Sequence, residues 1–142
     1  LFLFTALVLS RLLPLPPNSE PLLGLAVVAP HIAKSLWVWF APLLVMLASD
    51  IIIGFHGHMM FTYTALAIAP FISRYINNMY TALGCSWLVW HVLANFGQTY
   101  PPFSVEALVF DTRLFVSGLL VIITLDILRK VMYNGKSYGK TG

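Results

Sequence analysis

Charge is scarce in this chain. Of its 142 residues, 9% are Asp, Glu, Lys or Arg, where a soluble domain carries about 25%. Cysteine is nearly absent: Cys85 stands alone, which excludes a disulfide-stapled secreted scaffold and any paired-thiol motif. The five carboxylates form no obvious acid/base pair. The chain also lacks Gly-x-Gly-x-x-Gly, a Walker A sequence, His-Glu-x-x-His and a serine set in a nucleophile elbow. The usual signatures of nucleotide binding, zinc hydrolysis and acyl transfer are therefore missing, and an enzyme is not expected.

What is present is apolar. Hydrophobic residues make up 59% of the chain and aromatics 14%, with a mean hydropathy of +0.85. In so small a molecule most residues touch the surface, and folding in water would leave apolar patches far larger than soluble monomers tolerate. This composition excludes disorder and points to the bilayer as solvent.

Charges punctuate the sequence at Arg11, Glu20, Lys34, Asp50, Arg74, Glu106, Asp111, Arg113 and the tail. A span needs about 17–25 mainly apolar residues, and the intervals predict an all-α polytopic membrane helix bundle of about six transmembrane helices. They fall at 1–13, 21–34, 35–54, 58–74, 77–97 and 113–130. The second and fourth are short and carry Pro30 and Pro70, so a five-span count is the alternative. The chain opens at Leu1 rather than Met, and the missing turn of the first span is expected upstream. A secretory signal at 1–13 has neither a preceding basic region nor a small-residue cleavage site.

Six spans put Lys34, Arg74, Arg129, Lys130, Lys136 and Lys140 on one side and only Arg11 and Arg113 on the other. The positive-inside rule then places both termini on the cytoplasmic, matrix or stromal face of a bacterial or organellar inner membrane. Residues 131–142 are polar, Gly-rich and basic, and are expected as a tail at the membrane surface beyond a bundle over 1–130. The net charge of +3 forms no basic stripe, so no nucleic-acid partner is expected. Anionic lipid accounts for the basic residues at about 1 kcal/mol each.

Eight residues are candidates for a ligand site or an interhelical polar site: Arg11, Asn18, Glu20, Asp50, His56, His58, His91 and Asn95. Arg11 and Glu20 flank a Pro-rich corner in which Asn18 and Ser19 can cap the helix that Pro21 opens. Asp50 lies near hydrocarbon and needs a partner such as Arg11, Arg74 or a histidine. His56 and His58 follow at once, but spacing fixes no third ligand, so no metal is expected. In the fifth span Thr81, Gly84, Leu88, His91 and Asn95 recur at helical intervals, which predicts an inward face on which Gly84 allows close approach. A haem on His91 lacks a facing histidine at its depth, and no cofactor is expected. Asp126 is expected to pair with Arg129 or Lys130 on its own helix, and the Trp and Tyr rings to mark depth at the interfaces.

The order and spacing of three segments carry a resemblance. These are Arg11-Leu-Leu-Pro14 with Pro17-Asn18 and Pro21, then Ser49-Asp50 with Gly54-Phe55-His56 behind it, then Asn95-Phe96-Gly97 with Tyr100-Pro101. The chain resembles a family of small integral membrane proteins, mostly bacterial, which themselves look like the substrate-capture (S) components of energy-coupling-factor vitamin transporters. The resemblance covers most of the chain and implies a six-helix fold, without naming a ligand. Two features depart from it: Leu119 follows Gly118 where an acidic residue is expected, and the minimal loops leave little material for a lid.

Two roles follow. The first is a non-catalytic accessory subunit of a larger membrane complex, with lipid and neighbouring subunits as partners. The alternative is a capture subunit for a small-molecule ligand, in which Arg11, Asp50, His91 and Asn95 together line a pocket of a few hundred Å³.

Overall fold

The computed structural model describes residues 2–14, 21–96 and 104–138. They form six helices and, among the described residues, no strand: α1 (Phe2–Leu12), α2 (Leu22–Ile32), α3 (Leu36–Ile53), α4 (Met59–Tyr75), α5 (Met79–Phe96) and α6 (Val105–Tyr138). The short breaks at 33–35, 54–58 and 76–78 turn the chain back on itself, so α2, α3, α4 and α5 alternate in direction. Each break has a local cause. Gly54 closes α3 at φ 112°, a conformation that L side chains resist, and its N–H donates to the Asp50 carbonyl at 2.8 Å. Asn78 Oδ1 accepts the N–H groups of Tyr80 and Thr81 at 2.9 and 3.1 Å to start α5, and Ser104 Oγ accepts that of Ala107 at 3.2 Å to start α6.

The hub is α2, which packs against α3, α4, α5 and α6. Its sequence Leu-Leu-Gly-Leu-Ala-Val-Val-Ala carries no charge, and a helix apolar all round is stable only when sheathed. Its Val27 joins Leu66, Ala69, Leu83 and Ile122 from three other helices in one core. Where α2 crosses α6 the backbones nearly touch: a Cβ on Gly24 would lie 2.6 Å from the Gly118 Cα. Helix α1 is peripheral and, among the described residues, contacts α3 alone of the helices.

Two differences from the sequence reading stand out. The last helix begins at Val105 rather than 113, because Asp111 and Arg113 lie within the helix instead of before it. It also continues through 131–138, past the apolar stretch, with residues 131–135 exposed. Among the described residues, two helices are long and apolar enough to cross a membrane: α3 over Leu36–Ile53, with hydropathy 2.1, and α6 over Val105–Gly135, with 2.0. Only 28% and 22% of those windows are buried, whereas the core helix of a soluble protein is mostly buried. Exposed Leu44, Ile51, Ile52, Leu88 and Leu120 continue the apolar exterior around the bundle.

Candidate functional site

Chain alternation brings the end of α1, the end of α3, the start of α4, the end of α5 and the start of α6 to one end of the bundle. Two polar clusters form there. In the first, Arg11 reaches from the last turn of α1 to the last turns of α3. Its Nη1 donates to the Met46 carbonyl and to Asp50 Oδ1, both at 3.2 Å, and to the Ser49 hydroxyl. From the facing turn of α4, the Tyr63 hydroxyl donates to Asp50 Oδ2 at 2.7 Å. Both carboxylate oxygens are thus engaged, which is what allows Asp50 to sit at 3% exposure: an ionised carboxyl taken from water costs several kcal/mol unless paired and hydrogen-bonded. Of the partners considered for Asp50, the fold supplies Arg11, and it adds Tyr63.

The second cluster joins α5 to α6. His91 Nδ1 and Asn95 Nδ2 both lie 2.6 Å from Asp111 Oδ2, and Asn95 Nδ2 also donates to the His91 carbonyl at 2.7 Å. Trp87 lies one turn before His91 and stacks on its ring, with centroids 5.6 Å apart and planes 17° from parallel. The Trp87 indole N–H donates to the Asp111 backbone carbonyl at 2.6 Å. His91, Asn95 and Asp111 are all buried. Asp111 is the principal residue that sequence reasoning missed, having been read only as a boundary charge. A signal for it existed, since it falls on the helical stripe Ala107, Asp111, Leu114, Gly118 and Ile122, all buried.

The clusters are separate. Among the described residues helix α3 makes no contact with α5 or α6, so Asp50 lies apart from the group formed by His91, Asn95 and Asp111. Two surface grooves of about 370 and 410 Å³ are lined by Pro21, Ser117, Leu120, Val121 and Thr124 and by Leu88, Val89, Val92 and Leu93. Neither includes any of the four residues expected to line a pocket together.

The remaining candidates fall elsewhere. Asn18 and Glu20 lie outside the described residues. His56 and His58 sit in the connection after α3, with ring centroids 6.4 Å apart and His56 exposed. Among the described residues no group of three His, Cys, Asp or Glu could hold a metal ion. The inward face of α5 is rotated from the expected one. His91 and Asn95 point in, but Thr81 and Leu88 are exposed, and Ala82, Leu83, Ser86, Trp90 and Ala94 complete the buried side. Gly84 has no neighbour within 4 Å of where its Cβ would be, so the close approach is made by Gly24 and Gly118 instead.

At the opposite end, the Tyr80 hydroxyl donates to Asp126 Oδ2 at 2.7 Å and Arg129 donates to the His31 carbonyl at 3.1 Å. These contacts to neighbouring helices replace the pairing expected within α6. Tyr63 and Tyr80 therefore do more than mark depth, while Trp37, Tyr75 and Tyr133 are strongly exposed.

Among the described residues, the buried Asp50, His91 and Asp111 are each engaged by side chains of neighbouring helices. No curated protein and no solved structure matches the chain. Residues 1–128 match the model of a family described as a family of unknown function, DUF6580, and the chain belongs to that family.

Proposed function

We propose that this chain is a non-catalytic, multi-spanning membrane protein that serves as a structural or accessory subunit of a larger membrane complex. Six crossings, with both termini on the basic side of a bacterial or organellar inner membrane, are the topology of this reading. The apolar windows of α3 and α6 support the membrane placement, as does the apolar exterior. The shorter α2 is sheathed by four helices, so its ends need not reach the headgroups. The likeness read between its family and the S components implies a compact six-helix scaffold, here used for packing.

One observation carries the accessory role. The deeply buried ionisable groups among the described residues, Asp50, His91 and Asp111, are each engaged by a neighbouring helix of the same chain. A capture subunit needs such groups turned toward a guest in one enclosed pocket. Internal pairing instead favours a rigid body whose business with its surroundings is conducted through apolar surface, with lipid and partner helices.

Extraction of the native membrane in mild detergent, followed by purification on a tag at the chain's end and mass spectrometry, tests the role. The proposal expects stoichiometric membrane subunits to accompany the chain and no bound metabolite. A chain that elutes alone with a stoichiometric small molecule overturns it in favour of capture.

A further inference from the structure

Helix α2 ends against both α4 and α6. The His31 carbonyl, one of the terminal carbonyls that a helix leaves unpaired, accepts from Arg129 Nη2 of α6 at 3.1 Å. The His31 ring Nε2 lies 2.9 Å from the Ser73 hydroxyl of α4. Three segments far apart in sequence are thus fixed to one residue at one end of the bundle.

Cations gather around this junction. Lys34 lies three residues past His31, Arg74 follows Ser73 and Lys130 follows Arg129. Each Cα is therefore within about 12 Å of a junction residue. Lys34, Arg74, Arg129 and Lys130 are all exposed. Lys34, Arg74 and Lys130 have neither a hydrogen bond nor an ion pair among the described residues. The carboxylate at this end among the described residues is Asp126, which the Tyr80 hydroxyl already holds at 2.7 Å. Helix dipoles account for a cation at the C-terminus of α2 and of α4. They do not account for Arg129 and Lys130, because α6 runs on to Tyr138.

The surroundings narrow the partner. Trp37, Tyr75 and Tyr133 are strongly exposed and lie within three residues of one of these cations, and such rings settle at the headgroup level of a bilayer. Ile32, Ile127 and Leu128 are exposed within two residues of a cation. A molecule anionic at its head and apolar behind it uses all three features, whereas a soluble anion uses only the cations. Arg engages two phosphate oxygens at once and Lys adds a point charge. A phosphatidylcholine headgroup brings its own quaternary ammonium, which these cations repel. We propose that the ends of α2 and α4, with the passing turn of α6, form a binding site for the phosphate of an anionic phospholipid headgroup, held by Lys34, Arg74, Arg129 and Lys130. The site rests on the membrane placement proposed above, and it serves an accessory or a capture subunit alike.

The test follows thermal unfolding of the full chain in detergent micelles doped with phosphatidylglycerol or phosphatidylcholine. A lipid that binds the folded chain raises the midpoint with concentration, and phosphatidylglycerol alone is expected to do so. A basic side chain near an anionic lipid surface is worth about fivefold in affinity, so Arg74→Gln should shift the titration by about that factor. The triple variant Lys34→Gln, Arg74→Gln, Lys130→Gln should shift it on the order of a hundredfold. Its midpoint without lipid should not move, because these side chains hold nothing in the fold. Arg113→Gln, at the other end of the bundle, should leave the titration unchanged. Equal stabilisation by the two lipids, an unshifted triple variant, or stabilisation by glycerol phosphate matching that by phosphatidylglycerol overturns the proposal. Resistance to carbonate extraction from phosphatidylcholine liposomes separates the two levels. A chain that resists extraction yet shows no lipid preference loses the site alone, and a chain that is extracted loses the membrane placement with it.

Discussion

Asp50 illustrates how the fold tolerates a carboxylate among apolar residues. Its two oxygens are divided between Arg11 and Tyr63, on helices either side of α3. Removing one member of a buried pair leaves the other uncompensated, which typically costs about 3–5 kcal/mol, whereas removing both costs much less. Arg11→Met should therefore lower the unfolding midpoint in detergent markedly, and Asp50→Asn in the same chain should restore most of the loss. Strict additivity of the two substitutions would show that the pair is not coupled. Tyr63→Phe deletes one hydrogen bond to a charged group and should cost about 1.5–3 kcal/mol in the same assay. At the second cluster, His91→Phe keeps a ring to stack on Trp87 but withdraws the donor from Asp111 Oδ2. It should destabilise the chain in the same assay, and Asp111→Asn in that background should recover stability, because the residue left with fewer donors is then no longer an acid.

Among the helices, the crossing of α2 and α6 is the least forgiving contact. A methyl at Gly24 would meet backbone, 2.6 Å from the Gly118 Cα, so the two helices must separate; a methyl at Gly118 meets the mobile end of Leu83 at 2.8 Å. Overpacking costs about 1–3 kcal/mol and more where backbone must move. Gly24→Ala is expected to be the more damaging of the two. Gly84→Ala meets nothing within 4 Å and should be neutral or stabilising by about 1 kcal/mol through helix propensity. Thermal unfolding of the three variants in one detergent checks the order, and a harmless Gly24→Ala would contradict the crossing.

This contrast also marks what was legible in the sequence. Charges and turn residues placed the first five helices within a few residues of their observed bounds, because Lys34 and Arg74 lie exposed at helix boundaries and Gly54 and Asn78 mark the turns. The rule failed at Asp111 for a physical reason: a carboxylate held by His91 and Asn95 can lie inside a helix, and its partners are twenty and sixteen residues away in sequence. His91 and Asn95 were recognisable as an inward polar pair from spacing alone. Gly24 and Gly118 were not, since which glycines meet is decided by the crossing of α2 and α6, and nothing local distinguishes them from Gly84. Likewise Arg11 and Asp50 could be matched by charge, while Tyr63 entered only once α4 was packed against α3.

At the scale of the whole molecule, the proposed role needs a bundle whose buried ionisable groups are engaged inside, as Asp50, His91 and Asp111 are, and whose apolar exterior faces hydrocarbon. Leu44 on α3, Leu88 on α5 and Leu120 on α6 are 44%, 57% and 60% exposed, and together they sample three helices. The decisive measurement is spin-label accessibility in a reconstituted bilayer, with single cysteines at these three positions and at Lys34 and His56 in a Cys85→Ala background. The account predicts that labels at Leu44, Leu88 and Leu120 relax with oxygen and ignore a water-soluble nickel chelate, while those at Lys34 and His56 do the reverse. Ready access of the nickel chelate to all three leucine positions would contradict it.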